Sequence, residues 1–144
     1  MSARQFALPF VMLLTLLTGC GAKDDPQASL EAAVQRLQDN LEAKDSGAVL
    51  EQLHPQFSAQ QEFDRDWARR TMALLFLRHK HVRVIALSKN SRLDPTYRDK
   101  GHSQAQVALT GAEGLIPDSA RHYGVKLEWW REGDEWRLAR LSWE

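Results

Sequence analysis

The side chains whose types and spacing could do chemistry in this sequence are few. Asp64 and Asp66 stand just before an apolar stripe, where burial would raise a carboxylate's pKa and make it a general base, with Tyr123 as a further acid–base participant. Against that, a spacing of two puts the aspartates on different helix faces, and carboxylates in a first helical turn favour the helix dipole. Capping is therefore the expected role. His79 and His81 flank Lys80, and on a strand both imidazoles would point to one face, which could begin a metal site. No further ligands stand nearby and Arg78, Lys80 and Arg83 would repel a cation, so no metal is expected. His54 and His122 have no partner close in sequence. No Gly-x-Ser-x-Gly elbow, phosphate-binding glycine loop or cysteine nucleophile occurs, so no catalytic residue is assigned and no cofactor is expected.

Two broader patterns could bind rather than react. Trp67, Tyr123, Trp129 and Trp136 could line a ligand cavity, since pockets are mostly apolar with a few polar groups; aromatic side chains on inward faces also simply pack. Between Arg65 and Arg92 the chain sets eight lysines and arginines against Asp66 alone. Such a run is either a solvated helix face with protective strand-edge charges or a contact for an anionic surface.

The one cysteine says where such a domain would work. Leu17-Thr18-Gly19-Cys20 closes an apolar run from Phe6 to Leu17 that follows Arg4. That run falls well short of the roughly 20 residues needed to span hydrocarbon and has the form of a removable signal. The tetrapeptide resembles a bacterial lipobox, which implies a signal peptide over residues 1–19, lipid on Cys20, and no free thiol in the mature chain. Several acyl chains on one residue make a stable anchor, at about 0.8 kcal/mol per buried CH₂. With Gly21, not aspartate, after the cysteine, the resemblance implies the outer membrane with the domain facing the periplasm; the inner membrane and the cell surface are the alternatives. Residues 20–27 form the lipidated tether, and the seven from Gly21 to Gln27 extend at most about 25 Å.

Residues 28–144 then form one domain. Without residues 1–19 the chain carries 18 basic against 19 acidic side chains, so nucleic acid is not an expected partner. Leu30, Val34, Leu37 and Leu41 recur at helical spacing. Asp45 and Ser46 cap a short second helix that His54-Pro55 should end, and after a connection around Phe57 a third runs from about Glu62 to Leu77. Its far end is apolar all round, which predicts deep burial. From Val82 the period shifts toward two, predicting strands at Val82 to Leu87, Gln104 to Thr110, Tyr123 to Arg131 and Glu135 to Trp143. Gly133-Asp134 suits a two-residue turn, so Arg131 should face Trp136, Trp130 Arg137 and Trp129 Leu138, with the Arg137 guanidinium over Trp130. Val125, Leu127, Trp129, Trp136 and Leu138 should form the packed face, leaving Lys126, Glu128, Trp130 and Arg137 solvated.

The expected class is α+β, with three amino-terminal helices packed on a curved antiparallel sheet of about four strands. A helix, a short helix ending in Leu53-His54-Pro55, a third helix, and strands finishing in Gly133-Asp134-Glu135-Trp136-Arg137-Leu138 resemble the nuclear transport factor 2-like superfamily over about residues 28–143. The resemblance implies a cone between sheet and helices, a possible sheet-face homodimer, and enzymes of isomerase, cyclase or dehydratase type among its members. Their pocket residues are not matched here, and the connection Gly111 to Arg121 departs from them. The leading expectation is a non-catalytic lipoprotein that binds an envelope protein or an apolar small molecule; acid–base catalysis in the cone is the alternative. Labelled palmitate should enter the wild-type chain, and Cys20→Ser should abolish both labelling and signal processing.

Overall fold

The computed structural model describes residues 25–111 and 122–144, with only the backbone for 109–111. Cys20, the signal segment, the tether up to residue 24 and most of the connection from Gly111 to Arg121 lie outside the described residues.

Three aspartates start the three helices. Asp25 accepts from the Gln27 and Ala28 amides and opens α1 (Pro26–Glu42); Asp45 accepts from Ala48 and opens α2 (Ser46–Gln52). Asp64 accepts from Trp67 at 2.9 Å and opens α3 (Arg65–Arg78). Each carboxylate satisfies amides that the first turn leaves without a partner. The helix expected from Glu62 begins later because Gln60 and Gln61, both at positive φ, turn the chain so that Phe63 bridges back to Ala59.

The sheet has five strands rather than about four, in the order β1-β5-β4-β3-β2: β1 (Leu53–Ala59), β2 (Val82–Leu93), β3 (Lys100–Gly111), β4 (His122–Glu132) and β5 (Glu135–Trp143). It is mixed, since β1 runs parallel to β5 while the other pairs are antiparallel. The sequence pattern predicts a helix stop and a connection where β1 lies. Helix α2 does end at Gln52, but the chain then extends as an edge strand, where Pro55 falls in an irregular stretch between the Leu53 and Ser58 pairings. A proline without an amide hydrogen is tolerated at such an edge. Strand β2 continues past Leu87 because a bulge there, between Ala86↔Val107 and Ser88↔Gln106, reverses the alternation that marked the strand.

The β4–β5 hairpin has the expected register, with Arg131↔Trp136, Trp130↔Arg137 and Trp129↔Leu138. Gly133 turns at φ 60°, a conformation that glycine adopts without steric penalty. A bulge between Glu128 and Trp129 sets Ala139 outside the ladder and brings Arg140 onto the face of Trp130. The guanidinium over Trp130 is accordingly that of Arg140, at 4.8 Å, instead of Arg137.

Helix α1 lies against the sheet with Leu30 and Ala33 fully buried, among Leu53, Phe57, Leu127, Trp129, Trp136 and Leu138. The Trp129 indole donates to Ser103 Oγ at 3.1 Å and the Trp136 indole to Ser29 Oγ at 2.9 Å. Helix α3 corrects another expectation. Ala68 and Met72 are buried, but Leu74, Leu75 and Leu77 are 50%, 42% and 85% exposed, because the helix packs on α2 and β1 along the side that carries Ala68 and Met72.

At Gly101 α1 packs directly on the sheet. A Cβ there would lie 2.7 Å from Leu30 Cδ2, and Leu30 is itself wholly buried. Gly101→Ala should cost about 1–3 kcal/mol by overpacking, and Leu30→Ala about 2–5 kcal/mol by leaving a cavity. Urea unfolding of the double variant should show less than the sum, since the smaller Leu30 replacement makes room for the new methyl.

Candidate functional site

Strand alternation divides the sheet into two chemically different faces. Gly101, Ser103, Leu127 and Trp129 point toward the helices, so their neighbours His102, Gln104, Lys126, Glu128 and Trp130 point away. Register then aligns one row across all five strands, Arg92↔His102↔Glu128↔Arg140↔Ser58, and a second row, Gln104↔Lys126↔Ser142, beside it. Between the rows runs a groove of about 800 Å³, floored by Ser103, Leu127 and Leu141 and bounded at one end by Gln60 and Gln61. Gln60 is fixed there by bonds along β5: its amide donates to Leu141 O at 2.8 Å and its side chain to Trp143 O at 2.9 Å.

The groove is cationic although the whole chain is neutral. Arg92, Lys126 and Arg140 face Glu128, which already accepts from the Trp130 indole at 2.7 Å and lies 3.7 Å from Lys100 Nζ. Arg140 is oriented by two 2.8 Å bonds from Nη1 to the carbonyls of Gln56 and Ala139. Neither Arg92 nor Arg140 forms an ion pair among the described residues. A guanidinium held this way offers parallel donors to a carboxylate or phosphate, a geometry that lysine cannot reproduce.

His102 on the same wall is held by Asp94, Nε2 to Oδ2 at 2.7 Å. Asp94 also accepts from the Thr96 and Tyr97 amides, each at 2.8 Å. The His102 bond, followed by those two amides, lowers the Asp94 pKa from its ordinary 3.8 to about 2. An imidazole fixed at Nε2 by a carboxylate has Nδ1 left for proton transfer or ligand binding. His54 is different. Its Nε2 lies 2.7 Å from Glu132 Oε1, its Nδ1 accepts from the Gln56 amide at 3.0 Å, and its ring sits edge-on to Trp130. Both nitrogens are occupied, so His54 positions β1 against β4.

The residues singled out in the sequence lie on the helix side of the sheet. Trp129 and Trp136 meet in the core with their indole N–H groups satisfied, and Trp67 packs at its edge, stacked between Phe63 at 4.7 Å and Trp143 at 6.1 Å. Tyr123 pairs with Val107 and lies outside that cluster, and none of the four lines the groove. Asp64 caps α3, and Asp66 pairs with Arg69 at 2.6 Å on the exposed surface. Among the described residues no three histidine, cysteine or acidic side chains are grouped so as to hold a metal, and no helix is long and apolar enough to cross a membrane. Sequence reasoning missed Asp94, His102 and Arg140, and met Arg92 only as the end of a cationic run. The only local signal was Asp94-Pro95-Thr96-Tyr97, in which an aspartate caps its own turn; the rest required the register of four strands.

No protein-family model and no curated protein matches the sequence. Solved structures do resemble the fold. A nuclear transport factor 2-like protein of unknown function from Pseudomonas putida KT2440 has a TM-score of 0.68 at 6% identity, over 82% of this chain and 84% of the other. A candidate dehydratase of the same family from Streptomyces avermitilis has a TM-score of 0.67 at 11% identity, over 81% and 93%. Bd1075 of Bdellovibrio bacteriovorus has a TM-score of 0.67 at 12% identity over 79% of this chain, which spans only 38% of that protein. The chain thus has the nuclear transport factor 2-like fold.

The depressed Asp94 carboxylate has a definite signature in acid. Because its folded pKa lies below the unfolded one, the pair stabilises the fold above pH 3.8, and that contribution disappears as pH falls toward about 2. In urea titrations Asp94→Asn should be less stable than wild type above that window, and the difference should shrink steadily within it.

Proposed function

We propose that this chain is a lipid-anchored protein of the bacterial envelope whose domain works by binding, and that the bound group is acidic and lies in the groove on the helix-free face of the sheet. The observation that carries this is the pair of guanidiniums Arg92 and Arg140, without an ion pair among the described residues, beside Lys126, which Glu144 meets at 3.5 Å, and a groove carboxylate, Glu128, already engaged by Trp130 and Lys100. Arg140 is held in place before any ligand arrives, so little ordering cost remains to be met on binding. Burial of Trp129 and Trp136 supports a packing role for those rings and favours a polar ligand over the apolar one expected from the aromatic residues. Anchoring through Cys20, outer-membrane placement and an envelope partner remain part of this reading, supported by the motif at Leu17 to Cys20.

A second reading rests on His102. An Asp94-held imidazole facing the same groove is suited to proton transfer, which would make the domain an acid–base enzyme of isomerase, cyclase or dehydratase type. Conversion of a groove ligand that fails in His102→Gln while binding persists would favour this alternative.

The binding reading is tested by amide NMR on the full chain, titrated with inorganic phosphate and with citrate. Shifts should gather on residues 102–104, 126–128 and 140–142, and rising salt should weaken them. Arg92→Glu combined with Lys126→Glu, both at exposed positions, should lower affinity roughly tenfold without changing the fold. Shifts scattered over the surface, or equal affinity in the double variant, would overturn the assignment.

A further inference from the structure

The C-terminal half of α3 presents apolar surface where a water-exposed helix would be polar. Ala73, Leu74, Leu75 and Leu77 are exposed, Leu77 to 85%. Soluble surfaces scatter such residues singly and seldom gather them. The charge along this stretch of sequence has one sign. From Trp67 through Leu93 the sequence contains Arg69, Arg70, Arg78, Lys80, Arg83, Lys89 and Arg92 and no acidic residue. Arg69 pairs with Asp66, whereas Arg70, Arg78, Lys80 and Arg83 form no ion pair among the described residues. Arg70, Leu74 and Leu77, at i, i+4 and i+7, share one side of the helix.

We propose that this helix end is a second membrane contact, with its leucines entering the interface of an anionic phospholipid bilayer and Arg70, Arg78, Lys80 and Arg83 meeting the headgroup phosphates. Apolar residues rimmed by cations are the composition of interfacial helices, and each cation near an anionic surface is worth about a fivefold change in affinity. The proposal rests in part on the lipid-anchor reading, which brings the domain to a bilayer, and the lengths involved are compatible. The five residues from Gly21 to Asp25 extend at most about 18 Å. Helix α1, about 25 Å long, leads from that end, where Gln27 bonds Ser91 O, to the α3 end, where Lys44 bonds His79 O. An anchor at one end of α1 and the leucines at the other would hold that helix along the bilayer and fix which way the groove faces.

The test uses the full, processed protein carrying Leu77→Cys, a substitution at an exposed position, labelled with a polarity-sensitive fluorophore. Intact mass first reads the anchor: lipid on Cys20 leaves the introduced thiol as the only free one. In phosphatidylglycerol-rich vesicles the emission should shift to the blue and resist iodide quenching, and in phosphatidylcholine vesicles it should do neither. High salt, or Arg78→Glu, Lys80→Glu and Arg83→Glu together, should lower the seated-to-free ratio at least about tenfold. A label open to iodide in both vesicles overturns the contact. So does protection without vesicles, which rises with protein concentration for a second copy and is constant for another part of the same chain. If mass shows no lipid, the anchor reading fails by itself, and the same vesicle comparison in a Cys20→Ser background decides the helix contact separately.

Discussion

Two indole N–H groups must be satisfied inside an apolar core, and the serines that satisfy them tie the fold together. Trp129 is wholly buried on β4 and donates to Ser103 on β3, whose hydroxyl also bonds Ser91 on β2. Trp136 on β5 donates to Ser29 on α1, which bonds back to the Pro26 carbonyl. A buried indole without a partner costs roughly 1–3 kcal/mol, so these bonds do more to fix one arrangement than to add stability. Helix α1, the β4–β5 hairpin and strands β2 and β3 are then set relative to one another by two short polar chains. Gly101 completes the constraint, since only its missing side chain lets Leu30 lie so close to β3.

A helix face occupied in this way sends the sheet's polar chemistry to the opposite side. Each residue next to a core position on β3 or β4 points outward, and pairing across four strands gathers Arg92, His102, Glu128 and Arg140 into one row. The bulge at Ala139 is what returns Arg140 to that row; regular alternation through Ala139 would put it with Leu138 on the core side. A packing irregularity on one face thus creates a placed guanidinium on the other.

Charge is segregated as well as balanced. The chain is neutral overall, yet cations collect in the groove and along α3 and β2, where long side chains stand clear of the core. Helix α3 is buried where it meets α2 and β1, and its apolar end extends beyond them. Hydrophobicity all round a helix ordinarily indicates burial, but only when neighbours exist to bury it.

What the sequence determined by itself was what neighbours a few residues apart can settle. Aspartates at 25, 45 and 64 start helices because a carboxylate reaches its own next amides, and Gly133-Asp134 sets the hairpin register because a two-residue turn allows only one pairing. The order of three helices and the final strands, and with it the fold class, followed from those signals. Tertiary structure alone decided the rest. A short polar segment around Pro55 became a strand because β5 offered it an edge; bulges at Leu87 and Ala139 shifted side chains between faces with no mark in the sequence; Asp94 met His102 across a turn. The groove joins residues from five strands, and long-range register is set by how a whole face packs, a quantity that no local spacing contains.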